Sequence, residues 1–424
     1  MDEMLIALAV TLIFAALALF IIEEFDILSP TVVTVGIMGF SALLAALASD
    51  VYNFTMTPDA ALLLILPLFA FVCSALYVKS KCNFIKLKEL PNFTVKTKYV
   101  VIFSAIALVF LFLNFWELYR LSERFGNYDG IFGMIKTVRP YIEKGEAQLS
   151  RWSNYRNYFA EGLAYVSAFA FFYKLFFDKV KVKILLLPMI IYMPFLILST
   201  GRMGLLLYVI YLALIGCITY RLKQNDSIES RKVSARWAIY SAVFFFLLFL
   251  GFGFFTGKFS LSGAASNPFA VLAHYGGASI PAFSEILKLP YVYDGNIGSY
   301  TLIGVYRILQ KFIELPNVAI FLPFVSFQGM DTNIYTAFYR YIIDFGVVGC
   351  TAIMVFFGGF YTFFYTLAKS GRLGAFAIIA YSTFSYPIFL FFQDERFFLD
   401  LFGTTVIYQL AALFFFYKII LRKG

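Results

Sequence analysis

The chain has 424 residues, 61% of them hydrophobic, 20% aromatic and 14% charged, with a mean hydropathy of +0.82. That balance excludes a water-soluble globule of this length, in which roughly half of the residues are apolar. The net charge of +9 is ordinary for basic loops beside an anionic membrane face, so nucleic acid is not needed as a partner.

Several stretches hold about 18 or more nearly uncharged residues, the length that crosses a hydrocarbon core of roughly 30 Å. In chain order the expected spans are 4–22, 31–49, 60–78, 99–117, 158–177, 184–200, 203–220, 238–256, 342–367, 373–392 and 403–420. No small-residue cleavage site follows the first, and further spans do, so it reads as a retained helix and not a signal peptide. The expectation is an all-α polytopic membrane protein with about 11 (10–12) transmembrane helices, a single integral membrane domain over residues 1–424.

Orientation follows from the short charged loops. Lys79, Lys81, Lys86, Lys88, Lys96 and Lys98 separate spans three and four, and Lys179, Lys181 and Lys183 follow span five. Arg221, Lys223, Arg231, Lys232 and Arg236 follow span seven, Lys369 and Arg372 follow span nine, and Lys418, Arg422 and Lys423 close the chain. Simple alternation puts all five clusters on one side, which the positive-inside rule makes cytoplasmic. The C-terminus is then cytoplasmic and the short acidic N-terminus lies outside. Glu23, Glu24 and Asp26 between spans one and two run against the pattern.

On this topology 15 of 20 lysines are cytoplasmic, whereas 9 of 14 arginines face outward. The positive-inside rule does not explain an outward arginine set. Arginine grips phosphate or carboxylate with a planar fork, where lysine is a point charge. The asymmetry points to an anionic ligand handled at the outer membrane border.

Two long loops, 118–157 and 257–341, both lie outside. Loops beyond about 15 residues are functional or disordered, and these are too rich in Tyr, Phe, Trp and Leu to be disordered. Within the second, Ile297 to Lys311 has helical spacing and suits an interfacial or partly inserted segment. No sequence repeat relates the two halves, so the inverted-repeat signature of many transporters is missing.

The turn Ser199-Thr200-Gly201-Arg202-Met203-Gly204 joins two spans with a single charge at headgroup depth. Arg202 either snorkels to the headgroups or binds a ligand that the two glycines let approach. His274, the lone histidine, sits in His274-Tyr275-Gly276-Gly277, where it is either a structural residue or a base suited by its ordinary pKa near 6.5. Asp331, Asn333, Tyr335, Tyr339, Arg340 and Asp344 close the second loop. Asn333, Tyr335 and Tyr339 suit sugar binding through an amide and ring stacking. Arg340 and Asp344 are spaced i,i+4: an intrahelical ion pair, or a functional pair at the membrane boundary.

In the first long loop, Arg120, Arg124, Arg139, Arg151 and Arg156 stand among Tyr119, Tyr128, Tyr141, Trp152, Tyr155 and Tyr158. They suit a polyanionic or sugar ligand, or an interfacial aromatic belt. Gln393-Asp394-Glu395-Arg396 reads as a solvated hairpin tip, with either carboxylate the alternative candidate for a base. The sequence contains no Walker lysine loop, dinucleotide glycine pattern, HExxH, Gly-x-Ser-x-Gly elbow or Asp-x-Asp pair. Cys73, Cys82, Cys217 and Cys350 stand singly, without metal-ligand spacing or disulfide pairing. No metal or cofactor is expected. No charged residue falls in the middle of an expected span, which argues against an ion-coupled transporter.

Three segments carry a resemblance in order and spacing: His274 to Phe283, Gly298-Ser299-Tyr300-Thr301-Leu302-Ile303-Gly304-Val305-Tyr306-Arg307, and Thr332 to Gly346. They resemble the oligosaccharide repeat unit polymerases, the O-antigen (Wzy-type) polymerases of bacterial inner membranes. The run Asn333-Ile334-Tyr335-Thr336, then Arg340, then Asp344-Phe345-Gly346 is the most specific match. Asp26-Ile27-Leu28-Ser29-Pro30 and the Ser-Thr-Gly-Arg turn are also similar.

The resemblance implies a metal-independent glycosyltransferase of the inner membrane with a GT-C-like helical fold. It would transfer a growing glycan from undecaprenyl pyrophosphate to a new lipid-linked repeat unit at the outer (periplasmic) face. It also implies that Arg202 and Arg340 hold the pyrophosphate, and that His274, Asp344 or Asp331 takes the acceptor proton. Arg307 and Tyr275 lie in the matching segments and join the substrate-binding set. A separate chain-length regulator protein is expected as a partner. The alternatives are an O-antigen ligase-like enzyme differing only in acceptor, a flippase for the same lipid-linked units, and a structural membrane protein.

Overall fold

The computed structural model describes residues 2–82, 85, 87–126, 129–143, 145–199, 203–255, 268–289, 296–315 and 322–423. Its helices begin with α1 Glu3–Ile22, α2 Pro30–Tyr52, α3 Pro58–Cys82, α4 Thr97–Arg124 and α5 Gly130–Glu143. They continue with α6 Arg151–Phe176, α7 Leu186–Leu198, α8 Met203–Lys223, α9 Ile228–Phe255, α10 Pro268–Gly276 and α11 Ser279–Ile286. The last are α12 Ile303–Leu309, α13 Ala337–Lys369, α14 Gly374–Phe384, α15 Pro387–Leu390 and α16 Thr404–Ile420. Four three-residue strands, β1 Phe93–Val95, β2 Val325–Phe327, β3 Met330–Thr332 and β4 Leu421–Lys423, pair as β1–β4 and β2–β3.

Among the described residues seven helices (α1, α2, α3, α4, α6, α8 and α13) are long and apolar enough to cross a membrane. Three shorter apolar stretches accompany them, Lys183–Leu198, Gly374–Leu390 and Thr404–Ile420. This is the architecture of an all-α, multi-pass membrane protein. Such helices satisfy every backbone donor and acceptor within one segment, which hydrocarbon demands.

The chain forms two compact units. The first contains residues 1–86, 267–370 and 384–406, and the second contains residues 87–266, 371–383 and 407–424.

In the first unit, α2 is the central helix, with 72% of its spanning window buried. It packs antiparallel on α1, where Gly39 admits Leu12 and Ile13; a Cβ at Gly39 would stand 3.2 Å from their atoms. Gly358 of α13 lies against the Phe71 carbonyl of α3, and Ser74 Oγ donates to the Val355 carbonyl at 2.7 Å. Small residues permit this approach in membranes, where helices associate by close packing and not by a hydrophobic drive.

The acidic α1–α2 turn is neutralised in place. Lys79, at the end of α3, pairs with Glu23 at 2.7 Å, and Lys369, at the end of α13, reaches Asp26 at 3.4 Å. Glu23 and Asp26 are 4% and 1% exposed. The acidic turn therefore shares an end of the unit with lysines, as simple alternation of spans requires.

The described parts of loop 257–341 pack against α2 and α3. Tyr52 donates its hydroxyl to the Ala270 carbonyl at 3.1 Å, whereas Gly277 abuts Ala45. The helix α10 thus descends along α2 by about 10 Å, the axial distance from Tyr52 to Ala45. The chain reverses at Gly276-Gly277-Ala278, where a Cβ on Gly277 would lie 2.7 Å from the Ala45 nitrogen. It returns through α11 to Ser284, whose Oγ accepts the Thr57 amide at 3.1 Å. The pair α10–α11 is a re-entrant helical hairpin. Beyond it, the helix-like stretch expected over Ile297–Lys311 is helical only over α12.

A second re-entrant segment precedes the long arm of α13. Gly346 has φ 65° and ψ −176°, a conformation open only to glycine. The Tyr341 ring lies 6.1 Å from that of Phe357. In a straight helix these residues stand about 24 Å apart along the axis, so the chain folds back at Gly346. Residues 337–345 form a half-helix beside the spanning arm 347–369. Its first amide, of Ala337, donates to the Phe391 carbonyl at 2.9 Å. The Phe391 ring is 6.3 Å from Phe71, halfway along α3. The half-helix therefore begins in the middle of the bundle.

In the second unit, α6 is central, with 61% of its window buried. Gly162 brings it against Ala412 of α16, 2.9 Å from the position of a Cβ. Tyr173 donates to the Pro91 carbonyl at 3.2 Å, β1 pairs with β4, and Lys223 Nζ lies 5.3 Å from the Phe177 ring centre. Lysine-bearing segments around 88–98, 174–183, 223 and 418–423 thus gather at one end of this unit.

Candidate functional site

The half-helix 337–345 carries Arg340 into the interior of the first unit, where it is 3% exposed. A charged group there is costly unless it is paired and fully hydrogen-bonded. Its Nε donates to Asp394 Oδ1 at 2.8 Å and its Nη2 to Oδ2 at 3.4 Å, a fork on one carboxylate. Its Nη1 donates to the Tyr300 carbonyl at 3.1 Å.

Asp344, one turn further on, accepts the backbone amides of Tyr300 at 3.2 Å and Thr301 at 2.5 Å. Thr301 returns a hydrogen bond from Oγ1 to the Arg340 carbonyl at 3.2 Å. The turn 298–302 is thus stitched to the half-helix from both sides. Gly298, with φ 75°, makes the turn possible.

The segment Gln393–Arg396 does not form a solvated tip. Glu395 is 0% exposed and accepts the amides of Phe397, Phe398 and Leu399 at 2.7, 2.8 and 2.9 Å, and the Tyr341 hydroxyl at 3.1 Å. It caps a short π-helical turn, Phe397–Leu401. Burial raises its carboxyl to about 7, against the pull of the backbone amides and the Tyr341 hydroxyl. Asp400 accepts the Tyr386 hydroxyl at 3.0 Å, and burial raises its carboxyl as well. Asp394 keeps a side-chain exposure of 18%. Within this cluster it is the carboxylate that both holds Arg340 and remains reachable.

The expected site residues separate into the two units. Arg202 lies outside the described residues. Asp331 is exposed on β3, beside the two-residue turn Gln328-Gly329, and Asn333 is half-buried. Tyr335, expected to stack on sugar, is 0% exposed and donates to the Pro323 carbonyl at 2.6 Å; it packs the core. Tyr339 is 7% exposed with its ring 4.9 Å from that of Tyr335, which makes it a packing residue too. Arg307 is exposed on α12. His274 is half-buried near the apex of the re-entrant hairpin, edge-on to Tyr275 at 4.8 Å.

The remaining arginines belong to the second unit. Arg156 pairs with Glu117, which also accepts the Ser150 amide and hydroxyl and so fixes the entry into α6. Arg120 stacks on Trp116 at 5.0 Å. Arg124 and Arg151 are exposed, and Arg139 is half-buried.

Glu161, near one end of the expected span 158–177, stands near the middle of the helix that forms. The α6 helix begins at Arg151, seven residues before the expected start of that span, which carries Glu161 inward. Both of its carboxylate oxygens are met by Gln409 Nε2, at 3.1 and 3.2 Å. Among the described residues no three His, Cys, Asp or Glu side chains converge to hold a metal ion.

Fold and site together define a helical, multi-pass membrane protein with an arginine–carboxylate network set inside one of its units. No protein-family model, curated protein or solved structure matches the chain.

Proposed function

We propose that this protein is a membrane glycosyltransferase. It polymerises undecaprenyl-pyrophosphate-linked repeat units into a surface polysaccharide at the outer face of the inner membrane. The observation that carries the reading is the meeting of two family-like segments at one buried guanidinium. Arg340 of the Asn-x-Tyr-Thr…Arg…Asp-Phe-Gly run bonds to Tyr300 of the Gly-Ser-Tyr-Thr run, and Asp344 binds the backbone beside it.

In this reading the acceptor hydroxyl oxygen attacks the anomeric carbon of the donor glycan. The bond from that carbon to pyrophosphate breaks, and the electron pair leaves with undecaprenyl pyrophosphate. Arg340 supplies positive charge where negative charge develops, an effect worth about 2.7–4 kcal/mol for one donor in comparable sites. The hydroxyl proton passes to a carboxylate, for which Asp394, 18% exposed and held against Arg340, is the candidate beside the guanidinium. Arg202 is the second pyrophosphate ligand by resemblance alone. A separate chain-length regulator is the expected partner.

A flippase for the same lipid-linked units stands as the second reading. Its support is that charged groups lie inside the first unit, at Arg340 and Glu395, where a polar translocation path would need them. A ligase-like enzyme would share the donor chemistry and differ in acceptor.

The test is purified protein with lipid-linked repeat units and no other component. Lengthening of the glycan supports a polymerase, and its loss in Arg340→Ala at normal membrane levels supports the site. Transport without lengthening selects the flippase, and neither activity overturns the proposal.

A further inference from the structure

On the second unit, four aromatic rings form a ladder across α6 and α16. The Trp152 and Tyr155 rings lie 5.8 Å apart, Tyr155 and Tyr408 5.2 Å apart, and Tyr408 stacks on Tyr158 at 6.0 Å with planes 9° apart. Trp152, Tyr155 and Tyr408 are 71%, 39% and 44% exposed. These three rings thus lie at the surface of the unit and are not consumed in its core.

Beneath the ladder sit two planar polar groups. Glu161 follows Tyr158 by three residues and so lies on the same helix face, and Gln409 directly follows Tyr408. Each meets the other, and both are only half-buried. Among the described residues no cation pairs with Glu161. The contact of Gly162 with Ala412 fixes α6 against α16 at this level, so the arrangement is held before any ligand arrives.

An interfacial aromatic belt explains single rings at headgroup depth. It does not explain rings stacked on one another across two helices, nor a carboxyl and an amide held together beneath them. Flat apolar faces next to a carboxylate and an amide match a pyranose, which offers C–H faces for stacking and paired hydroxyls for bidentate hydrogen bonds.

We infer that Trp152, Tyr155, Tyr158 and Tyr408, with Glu161 and Gln409, form a glycan-holding platform distinct from the Arg340 cluster. The rings stack on sugar faces, and Glu161 and Gln409 bind vicinal hydroxyls. The inference rests on the proposed glycan chemistry of this protein, which supplies the ligand class.

The test uses the full-length protein in nanodiscs. The probe is the oligosaccharide released by mild acid from the host's own lipid-linked pool and fluorescently tagged at its reducing end. Saturable binding is expected. Tyr408→Ala should weaken it roughly fivefold to tenfold, the equivalent of one lost aromatic contact. Tyr408→Phe keeps the ring and should bind within about twofold of wild type, which separates a lost platform from a misfolded one. Glu161→Ala should weaken binding about fivefold, as removal of a hydrogen-bonding side chain does.

Equal binding by wild type and Tyr408→Ala overturns the platform. So does absence of binding when purified protein still lengthens lipid-linked glycans. Absence of both binding and lengthening overturns the proposed function, and the platform with it.

Discussion

The Tyr365 hydroxyl lies 2.7 and 2.9 Å from the two carboxylate oxygens of Asp26, across 339 positions of sequence. Lys369, one turn further along α13, completes the neutralisation of a carboxylate that is 1% exposed. Two carboxylates of an acidic turn that runs against the positive-inside pattern, Glu23 and Asp26, are thereby neutralised below the surface.

Asp26→Ala should lower stability by about 3–5 kcal/mol, because it strands the Lys369 ammonium and the Tyr365 hydroxyl. Glu89→Ala, at an exposed position between α3 and β1, should change it by less than about 0.5 kcal/mol. Thermal unfolding in detergent, followed with a thiol dye that reports exposure of buried Cys82, Cys217 and Cys350, measures both. Equal melting of the two variants would show that the cluster is not a brace.

Arg340→Lys should fail to substitute for arginine, since one ammonium cannot span both Asp394 oxygens and the Tyr300 carbonyl. A double-mutant cycle of Arg340→Lys with Asp394→Asn should give a coupling above about 1.5 kcal/mol. Additive melting shifts would mean that the fork is not formed in solution.

Gly346→Ala should cost about 1–3 kcal/mol through its backbone alone. Nothing stands within 4 Å of the added Cβ, so a clash cannot account for the loss. Glycan ladder length should shorten with it, because the fold-back at Gly346 aims Arg340. Normal stability with normal ladders would sink the half-helix assignment.

Glu395 links stability to pH. Its ordinary value is 4.5 and its buried value about 7, so the folded state holds the proton more tightly than the unfolded chain. Stabilisation is complete below about 4.5 and is lost as pH rises through about 7. Asp400, raised in the same direction, adds to the slope. Melting temperature should therefore fall from pH 5 to pH 7.5, and Glu395→Gln should flatten that fall. An unchanged slope in the variant would assign the effect to other groups.

Sequence alone determined what is local. Runs of apolar residues long enough for the hydrocarbon core marked α1 to α4 and the α13 arm, and lysine clusters marked the ends that gather together in each unit. The family-like islands around Arg340 were visible as strings, and their meeting at Tyr300 was not. Tertiary structure decided which loops re-enter the bundle, because α10–α11 and residues 337–345 are apolar runs too short, and too interrupted by Gly, Pro or charge, to read as spans. It moved Glu395 from an expected hairpin tip to full burial, and it matched Arg340 with a carboxylate 54 positions away. The physical reason is that hydropathy measures transfer of isolated segments. A charge's cost inside a membrane protein depends on its partners, and distant partners are chosen only when the chain is packed.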